Sequence, residues 1–270
     1  MPLFISIKMN KKIAVIGGGN LGQAIVSGLL SEDFKASHLT ITRHKIELLS
    51  DFKNQGVNVS SNNIEAVQAS ELIIIAVKPY KIQSVLKEVS PFITKEHLII
   101  SVVSDYTIER INSELQSAPV IFRAMPNTAS SVNESMTCIA SHNASEEDTK
   151  TVTSIFNALG ETIKIDEQLM DAATVLGACG IAYVLRFIRG MIQGGIEIGF
   201  DAKTATQIAT QTVKGASELL LQKGNHPEAE IDKVTTPKGC TIAGLNEMEH
   251  QGFSSALIKG IKTSYDNISK

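Results

Sequence analysis

The chain has 270 residues, of which 43% are hydrophobic, 20% charged and 5% aromatic. These values are typical of a globular protein with one large or two average domains, and they exclude a disordered or collagen-like chain. The formal charge of -3, from 25 basic and 28 acidic residues, argues against nucleic acid or an anionic membrane as a partner.

The cysteines and the apolar segments indicate a cytoplasmic protein. Cys138, Cys179 and Cys240 are far apart and form no CxxC pair, so neither a disulfide framework nor a metal site is expected. Residues 1–8 have no small-residue cleavage site and do not resemble a secretory signal. The longest uncharged apolar stretch, residues 172–185, has 14 residues, fewer than the about 18 to 20 that a membrane-spanning helix needs.

Short β-branched and aliphatic runs alternate with helix-length amphipathic segments in the first part of the chain. The runs lie at residues 13–17, 39–42, 57–59, 72–77, 98–103 and 120–124. Several are apolar at consecutive positions, as in parallel strands that helices cover on both faces. We therefore predict an α/β fold with a doubly wound sheet in residues 1–166. In residues 167–270 the apolar residues recur at helical spacing, which predicts an all-helical domain.

The helical region contains glycines that a helix does not favour. Each interior glycine costs about 1 kcal/mol relative to alanine, so a packing gain is expected in return. Two explanations remain open: close packing of helices within the chain, or a tight interface between subunits. The positions are Gly177, Gly180, Gly190, Gly194, Gly195 and Gly199.

The sequence GGGNLG at residues 17–22 predicts a dinucleotide-binding loop, because it follows a strand and opens a helix at residues 21–30. Gly17 allows the tight turn, Gly19 lets the backbone approach a pyrophosphate, and Gly22 allows the helix to pack on the strand. The free amides at the helix start, including those of Asn20 and Leu21, would bind phosphate. The alternative is an ordinary strand–turn–helix junction.

The end of the second strand predicts which dinucleotide binds. Asp or Glu at this point would hydrogen-bond a free ribose 2'-hydroxyl, but the chain has Thr42 and Arg43 and no carboxylate before Glu47. A guanidinium suits the 2'-phosphate of NADPH, with NADH as an alternative hydride donor. The competing interpretation is that Arg43 is a solvated surface residue.

Two further loops follow strands at the same sheet edge. The first contains Ala76, Val77, Lys78 and Pro79, and the second has the sequence RAMPNT at residues 123–128. Open α/β sheets bind ligands at the carboxyl ends of their strands, so the three loops together predict a nicotinamide pocket.

Four stretches carry a resemblance to a known family. They are IGGGNLGQAIVSGL at 16–29, AVKP at 76–79, RAMPNT at 123–128 and DKVTTPKGCTIAGLNEME at 232–249, of which the last is the most specific. The chain resembles pyrroline-5-carboxylate reductase along nearly its whole length. The resemblance implies a Rossmann domain, a helical dimerisation domain, NAD(P)H as hydride donor, and an active site between the subunits of a homo-oligomer.

The resemblance also implies roles for individual residues. Thr241 would hydrogen-bond the ring nitrogen of the substrate, and Thr236, Gly239 and Cys240 would hold its carboxylate. Asn63, Lys78, Met125 and Asn127 match positions that line the family's cofactor pocket.

The residues themselves support a substrate loop at this place. The TTPKG stretch at 235–239 has turn chemistry and leads into a predicted helix at 240–251, whose free amides can bind a carboxylate. The stretch has no general acid, which a protonated imine does not require. The alternative role for Thr241 is that of an N-cap.

The chain departs from the common pattern of this family at three places. Lys238-Gly239 replaces a Gly-Gly pair, and Cys240 stands where Thr or Ala is usual. The stretch usually close to GSGPAY is GACGIAY at 177–183, and Gly224-Asn225 before His226-Pro227 lacks an acidic residue that many members of the family carry.

Three other functions remain as alternatives. A related dehydrogenase of 3-hydroxyacids would use a lysine on the first helix of the helical domain, and residues 167–185 contain none. A dinucleotide-sensing regulator would have no use for a second anion-binding loop. A six-membered imine differs from the five-membered one by a methylene, which is worth only about 1 to 3 kcal/mol.

Overall fold

The computed structural model describes residues 11–268, so the predicted absence of a signal in residues 1–8 lies outside it. The chain forms two compact units, of which the first ends at Cys179 and the second comprises Gly180–Ile268. We retain the domain boundary between residues 166 and 167 as a proposal. Residues 167–179 therefore belong to the helical domain according to the sequence boundary, but they pack with the first compact unit in the structure.

The first unit is built on one eight-stranded sheet of order β3-β2-β1-β4-β5-β6-β7-β8. Strands β6 and β7 pair antiparallel, and all other neighbours pair in parallel. The strands are β1 Ile13–Ile16, β2 Leu39–Thr42, β3 Asn58–Ser60, β4 Leu72–Ile75, β5 Leu98–Ser101, β6 Val120–Met125, β7 Ser135–Ser141 and β8 Gly160–Lys164.

Helices cover both faces of this sheet, which confirms the predicted doubly wound α/β fold. One core cluster joins Ile13 and Val15 of β1 to helices α1, α2 and α6, and another joins Ala14 and Ile16 to α3, α4 and α5. Adjacent side chains of a strand point to opposite faces, so every residue of β1 is buried. These helices are α1 Asn20–Ser31, α2 Ser50–Asn54, α3 Asn63–Gln68, α4 Ile82–Val89, α5 Ile108–Glu114 and α6 Glu146–Asn157.

The first six strands lie where the sequence predicts them, whereas β7 and β8 were not predicted. In β7, buried Ser135, Thr137 and Ile139 alternate with the exposed Met136 and the half-buried Cys138, so no continuous apolar run marks it. Strand β8 lies at the sheet edge and has no buried residue.

The segment between the two domain patterns packs on the end of the sheet. It contains α7, Met170–Ala173, and a π-helical turn, Thr174–Cys179. Met170 is fully buried in a cluster with Met125 and Ala140. The Glu167 carboxylate accepts the Ile108 N–H at 2.7 Å and Arg123 Nη1 at 3.3 Å. The first unit therefore extends beyond the Rossmann sheet itself.

The second unit consists of helices with very little core of their own. Among its described residues only Ala205 and Ala209 are buried hydrophobics. Within the unit, the Tyr183 hydroxyl lies 2.6 Å from Ser264 Oγ. The helices are α8 Gly180–Glu197, α9 Ala202–Lys223, α10 Pro227–Lys233, α11 Cys240–His250 and α12 Phe253–Ile268.

The helical segment Glu167–Glu197 is long and apolar enough to cross a membrane by length and composition. Its most apolar window has a mean hydropathy of 1.6 and is only 6% buried within the chain. This criterion allows up to two charged residues in 18, whereas the 14-residue stretch at 172–185 was chosen because it has none. The same test is passed by helices of soluble proteins, so it is weak evidence for a membrane span.

Candidate cofactor cleft and substrate loop

A cleft of about 1060 Å³ lies at the carboxyl ends of the central strands. It is formed by the segments that follow strands β1 to β6, all in the first unit. Thirteen of the fourteen predicted cofactor residues line it: Gly17, Gly19, Asn20, Leu21, Thr42, Arg43, Asn63, Ala76, Val77, Lys78, Pro79, Met125 and Asn127.

The remaining one, Gly22, lies behind the loop. A Cβ on Gly22 would come 2.1 Å from the Gly17 carbonyl oxygen, so only glycine allows α1 to pack so closely on the turn. A Cβ on Gly19 would meet nothing within 4 Å, because this position faces open space. Gly17 has a φ of +112°, which favours glycine. Gly17 and Gly22 therefore have the turn and packing geometry that the sequence predicts, and the open position of Gly19 suits the predicted approach of a pyrophosphate.

The N-terminus of α1 is well suited to an anion. Its N-cap, Gly19, makes no side-chain capping bond, and the first turn contains no acidic residue. The first amides of a helix lack partners within the helix, and the helix dipole favours negative charge there. The loop therefore fits a pyrophosphate.

Arg43 is half-buried and held against the glycine loop. Its Nη1 donates a hydrogen bond to the Gly18 carbonyl at 2.8 Å, and the Gln23 side chain donates to the same oxygen at 3.0 Å. The guanidinium is thus fixed at the cleft and is not a freely solvated surface group.

The charge of the cleft is entirely positive. Arg43, Lys45, Lys78 and Lys81 line it, and none of its described lining residues is Asp or Glu. A free ribose 2'-hydroxyl has no carboxylate partner here, whereas a phosphate has several cations within the same cleft.

Asn63 is oriented by two neighbours. Thr42 Oγ1 donates to Asn63 Oδ1 at 2.7 Å, and Asn63 Nδ2 donates to the Glu88 carboxylate at 3.1 Å. The carboxamide therefore has a fixed orientation on the Arg43 side of the cleft.

The loop after β5 and one residue of the π-helical turn line the cleft, although the sequence did not predict either of them as part of the site. Val102, Val103 and Ser104 line the cleft directly after β5, and Ala178 lines it from the turn. Because the carboxyl ends of parallel strands lie at one sheet edge, the predicted strand at 98–103 was sufficient to place the loop after β5 in the site. No local pattern marks Ala178, because its position depends on packing against Met125.

The predicted substrate residues lie together in the second unit. The Gly239 N–H donates to the Thr236 carbonyl at 2.9 Å, and a Cβ on Gly239 would come 2.6 Å from Thr236 Oγ1. Helix α11 begins at Cys240, as predicted, and ends at His250, one residue before the predicted end. Gly239 is its N-cap, so Thr241 does not have the N-cap role considered as an alternative.

This loop is open to an anion and contains a strained lysine. Helix α11 has no acidic residue in its first turn, and Cys240 and Thr241 are exposed. Lys238 has a φ of +61°, a conformation that favours glycine, in line with the Gly-Gly pair that the family resemblance implies at this place. Near this region Asn225 Nδ2 donates to the Glu230 carboxylate at 2.6 Å, so a carboxylate lies beside Asn225 despite the missing acidic residue.

Two family models match the chain. Residues 167–270 match pyrroline-5-carboxylate reductase dimerisation, and residues 12–105 match the model described as NADP oxidoreductase, coenzyme F420-dependent.

Curated relatives cover nearly the whole chain. Pyrroline-5-carboxylate reductase 2 of Dictyostelium discoideum is 44% identical over 284 residues, covering 98% of this chain and 94% of the relative. Pyrroline-5-carboxylate reductase 1 of the same organism is 46% identical over 94% of this chain, which spans about half (48%) of that longer relative.

Solved structures agree with these relatives. A pyrroline-5-carboxylate reductase from Coxiella burnetii has a TM-score of 0.90 at 27% identity and covers 96% of this chain and 97% of its own. The Plasmodium falciparum pyrroline carboxylate reductase with NADP bound has a TM-score of 0.86 at 28% identity and covers 96% and 97%.

Proposed function

The chain belongs to the pyrroline-5-carboxylate reductase family, and on that premise we propose that it reduces 1-pyrroline-5-carboxylate to L-proline with NADPH, the last step of proline biosynthesis. The observation that carries the proposal is the 44% identity to such a reductase over nearly the full length of both chains. The cytoplasm is the proposed location, in line with the expectation from the cysteines.

The residues of the first unit fit NADPH. The first amides of α1 would hold the pyrophosphate, and Arg43 would bind the 2'-phosphate beside Thr42 and Asn63. The loops at 76–79 and 125–127 would receive the nicotinamide, on the other side of β1 from Arg43. Bound NADPH supplies a hydride to the carbon of the C=N bond.

The substrate loop has binding and orienting tasks. We assign the Thr241 hydroxyl to the ring nitrogen, and we assign Thr236, Gly239 and Cys240 to the carboxylate at the start of α11. A protonated imine is already electrophilic and leaves as an amine, so the chain need not deliver a proton to carbon or oxygen. Catalysis then depends on orientation and on fixed dipoles around the zwitterion.

The proposal is tested by following NADPH consumption with pyrroline-5-carboxylate, beside the six-membered imine and a 3-hydroxyacid with NADP. We expect turnover of the five-membered imine, and a fall in kcat/KM of about 10- to 100-fold for Thr241→Val, because a hydrogen bond to a charged group is lost. Thr149→Val is the matched control, since the hydroxyl of this helical threonine donates to the Ser145 carbonyl and Thr149 does not line the cleft.

Two results would each contradict the proposed reaction, and a third would contradict the assignment of Thr241. Turnover of the 3-hydroxyacid alone would indicate a dehydrogenase. NADPH binding without turnover of any substrate would indicate a dinucleotide sensor. Equal activity of the Thr241→Val and wild-type enzymes would remove Thr241 from the site.

The cofactor preference has a separate test. We expect Arg43→Gln to raise KM for NADPH about 10-fold and to change KM for NADH less than about 2-fold, because only NADPH carries the 2'-phosphate. Arg110→Gln is the matched control: Arg110 also donates to a backbone carbonyl, that of Asp105, and it does not line the cleft. A parallel rise in both KM values would show that Arg43 only supports the glycine loop.

We further propose that the homo-oligomer is formed by the second unit and that the active site lies near the subunit interface. The match of residues 167–270 to a dimerisation domain supports this assignment. Large hydrophobic side chains remain exposed on four of its helices, α8, α9, α11 and α12, including Leu185, Phe187, Leu221 and Ile258. If a second copy of the chain covers α8, its apolar surface is buried in the oligomer and no membrane is needed to explain it.

A further inference from the structure

The side chain of Asn127 lines the cleft, but its polar atoms are engaged within the protein. Nδ2 donates to the Gly177 carbonyl at 3.3 Å, and Oδ1 accepts the Ala129 N–H at 2.9 Å. The residue is 9% exposed, and its own N–H donates to Ser135 Oγ at 3.0 Å. With both ends of the carboxamide in use, the group is held in one orientation and is poorly placed to turn toward a ligand.

Gly177 belongs to the π-helical turn Thr174–Cys179. Such turns are rare and occur often at functional sites. In this chain the side chain of Val175 is only 2% exposed, so it fixes one side of the turn by packing. On another side, the Asn127 carboxamide donates a hydrogen bond to the Gly177 carbonyl. The turn is therefore tied to the loop after β6 by a side-chain hydrogen bond between residues 50 positions apart.

The residue that this bond places is Ala178. It lines the cleft and packs on the cluster of Met125, Ala140 and Met170. In the sheet order β6 and β2 lie on opposite sides of β1, so Ala178 lies at the end of the cleft away from Arg43. This is the end assigned above to the nicotinamide, so the imine carbon that takes the hydride must reach it if the proposed function holds.

We propose that Asn127 is a positioning residue: its carboxamide holds the Gly177–Ala178 turn as the wall that limits the ring size of the imine. The inference rests on the proposed function. When the turn is held in place, Ala178 contacts the extra methylene of a six-membered ring and excludes it. When the turn is mobile, Ala178 can move away and the larger ring can bind. Asn127 thus acts on specificity through the turn and not by touching the substrate.

Two variants separate the two hydrogen bonds of the carboxamide. Asn127→Asp keeps the acceptor for the Ala129 N–H and loses the donor to Gly177, while Asn127→Ala loses both. The alanine variant also serves if the new carboxylate prevents folding. Asn58→Asp is the matched control, because Asn58 Nδ2 donates to the Ser37 and Leu39 carbonyls and does not line the cleft.

The first measurement is hydrogen–deuterium exchange of residues 174–183 in the full-length protein without cofactor. We expect amides of this segment to exchange about 5-fold faster or more in both Asn127 variants, since one hydrogen bond that holds the turn is lost. We expect Asn58→Asp to leave exchange in this segment unchanged. Unchanged exchange in the Asn127 variants would show that the bond does not hold the turn.

The second measurement is the ratio of kcat/KM for the five-membered imine to that for the six-membered imine. We expect the Asn127 variants to lower this ratio about 3-fold or more; a change in NADPH binding is common to both reactions and cancels in the ratio. An unchanged ratio would overturn the role in specificity. A weakened Kd of NADPH with an unchanged ratio would make Asn127 a cofactor contact instead.

The two measurements also distinguish this inference from the proposed function. If the wild-type protein reduces neither imine, the proposed function fails and the role in ring size fails with it. The exchange measurement still decides whether Asn127 holds the π-helical turn, because it needs neither cofactor nor substrate.

Discussion

Replacement of Gly22 by alanine is expected to destabilise the protein and to abolish NADPH binding. The new Cβ would lie 2.1 Å from the Gly17 carbonyl oxygen, a backbone atom that can move only if α1 and the loop separate. Overpacking of this kind costs about 1 to 3 kcal/mol or more, and here it also displaces the amides that bind phosphate. We expect a lower midpoint of thermal unfolding without cofactor, and no shift of that midpoint when NADPH is added.

Gly19→Ala is the matched control for this effect, because a Cβ there meets nothing within 4 Å. Its φ of −79° is also open to alanine. We therefore expect unchanged stability without cofactor and a loss of NADPH affinity of about 10-fold or more, since the methyl group would stand where the pyrophosphate approaches the backbone. Calorimetric titration with NADPH measures the affinity. Full affinity in Gly19→Ala would show that the dinucleotide binds elsewhere.

The different effects expected for Gly22 and Gly19 could be predicted from the sequence, because the roles of these glycines depend on residues close to them in the chain. A strand, a tight turn and a helix at residues 13–31 are sufficient to predict the loop, and the cleft then follows from the common edge of the parallel strands. Arg43 was predictable for the same reason, since it follows β2 directly.

Other parts of the site depend on contacts between distant segments. The bond from Asn127 to Gly177 and the place of Ala178 in the cleft wall arise from packing around Met170, and no spacing in the sequence marks them. Strand β8 was not predicted because it pairs at the edge of the sheet without burying any of its residues, so it has no apolar run. Local patterns thus predict the cofactor side of the site better than the substrate side.

The glycines of α8 now distinguish between the two explanations that the sequence left open. A Cβ on Gly190 or Gly194 would meet nothing within 4 Å, so packing within the chain does not require glycine there. Gly195 differs, because a Cβ on it would come 3.2 Å from Ala205 Cβ within the same unit. Gly190 and Gly194 lie one helical turn apart and are both exposed, which favours close approach of a second copy.

We therefore expect Gly194→Leu to convert the oligomer to a monomer, since the side chain has room in the single chain and none at a close interface. Size-exclusion chromatography with light scattering measures the mass, and the exposed apolar helices should then lower the midpoint of thermal unfolding. Gly194→Ala is the informative smaller change. In an isolated helix alanine is more stable than glycine by about 1 kcal/mol, so a lower midpoint in this variant would locate the cost at the interface. A higher midpoint for Gly194→Ala together with an intact oligomer for Gly194→Leu would place the subunit contact on another face of the helical unit.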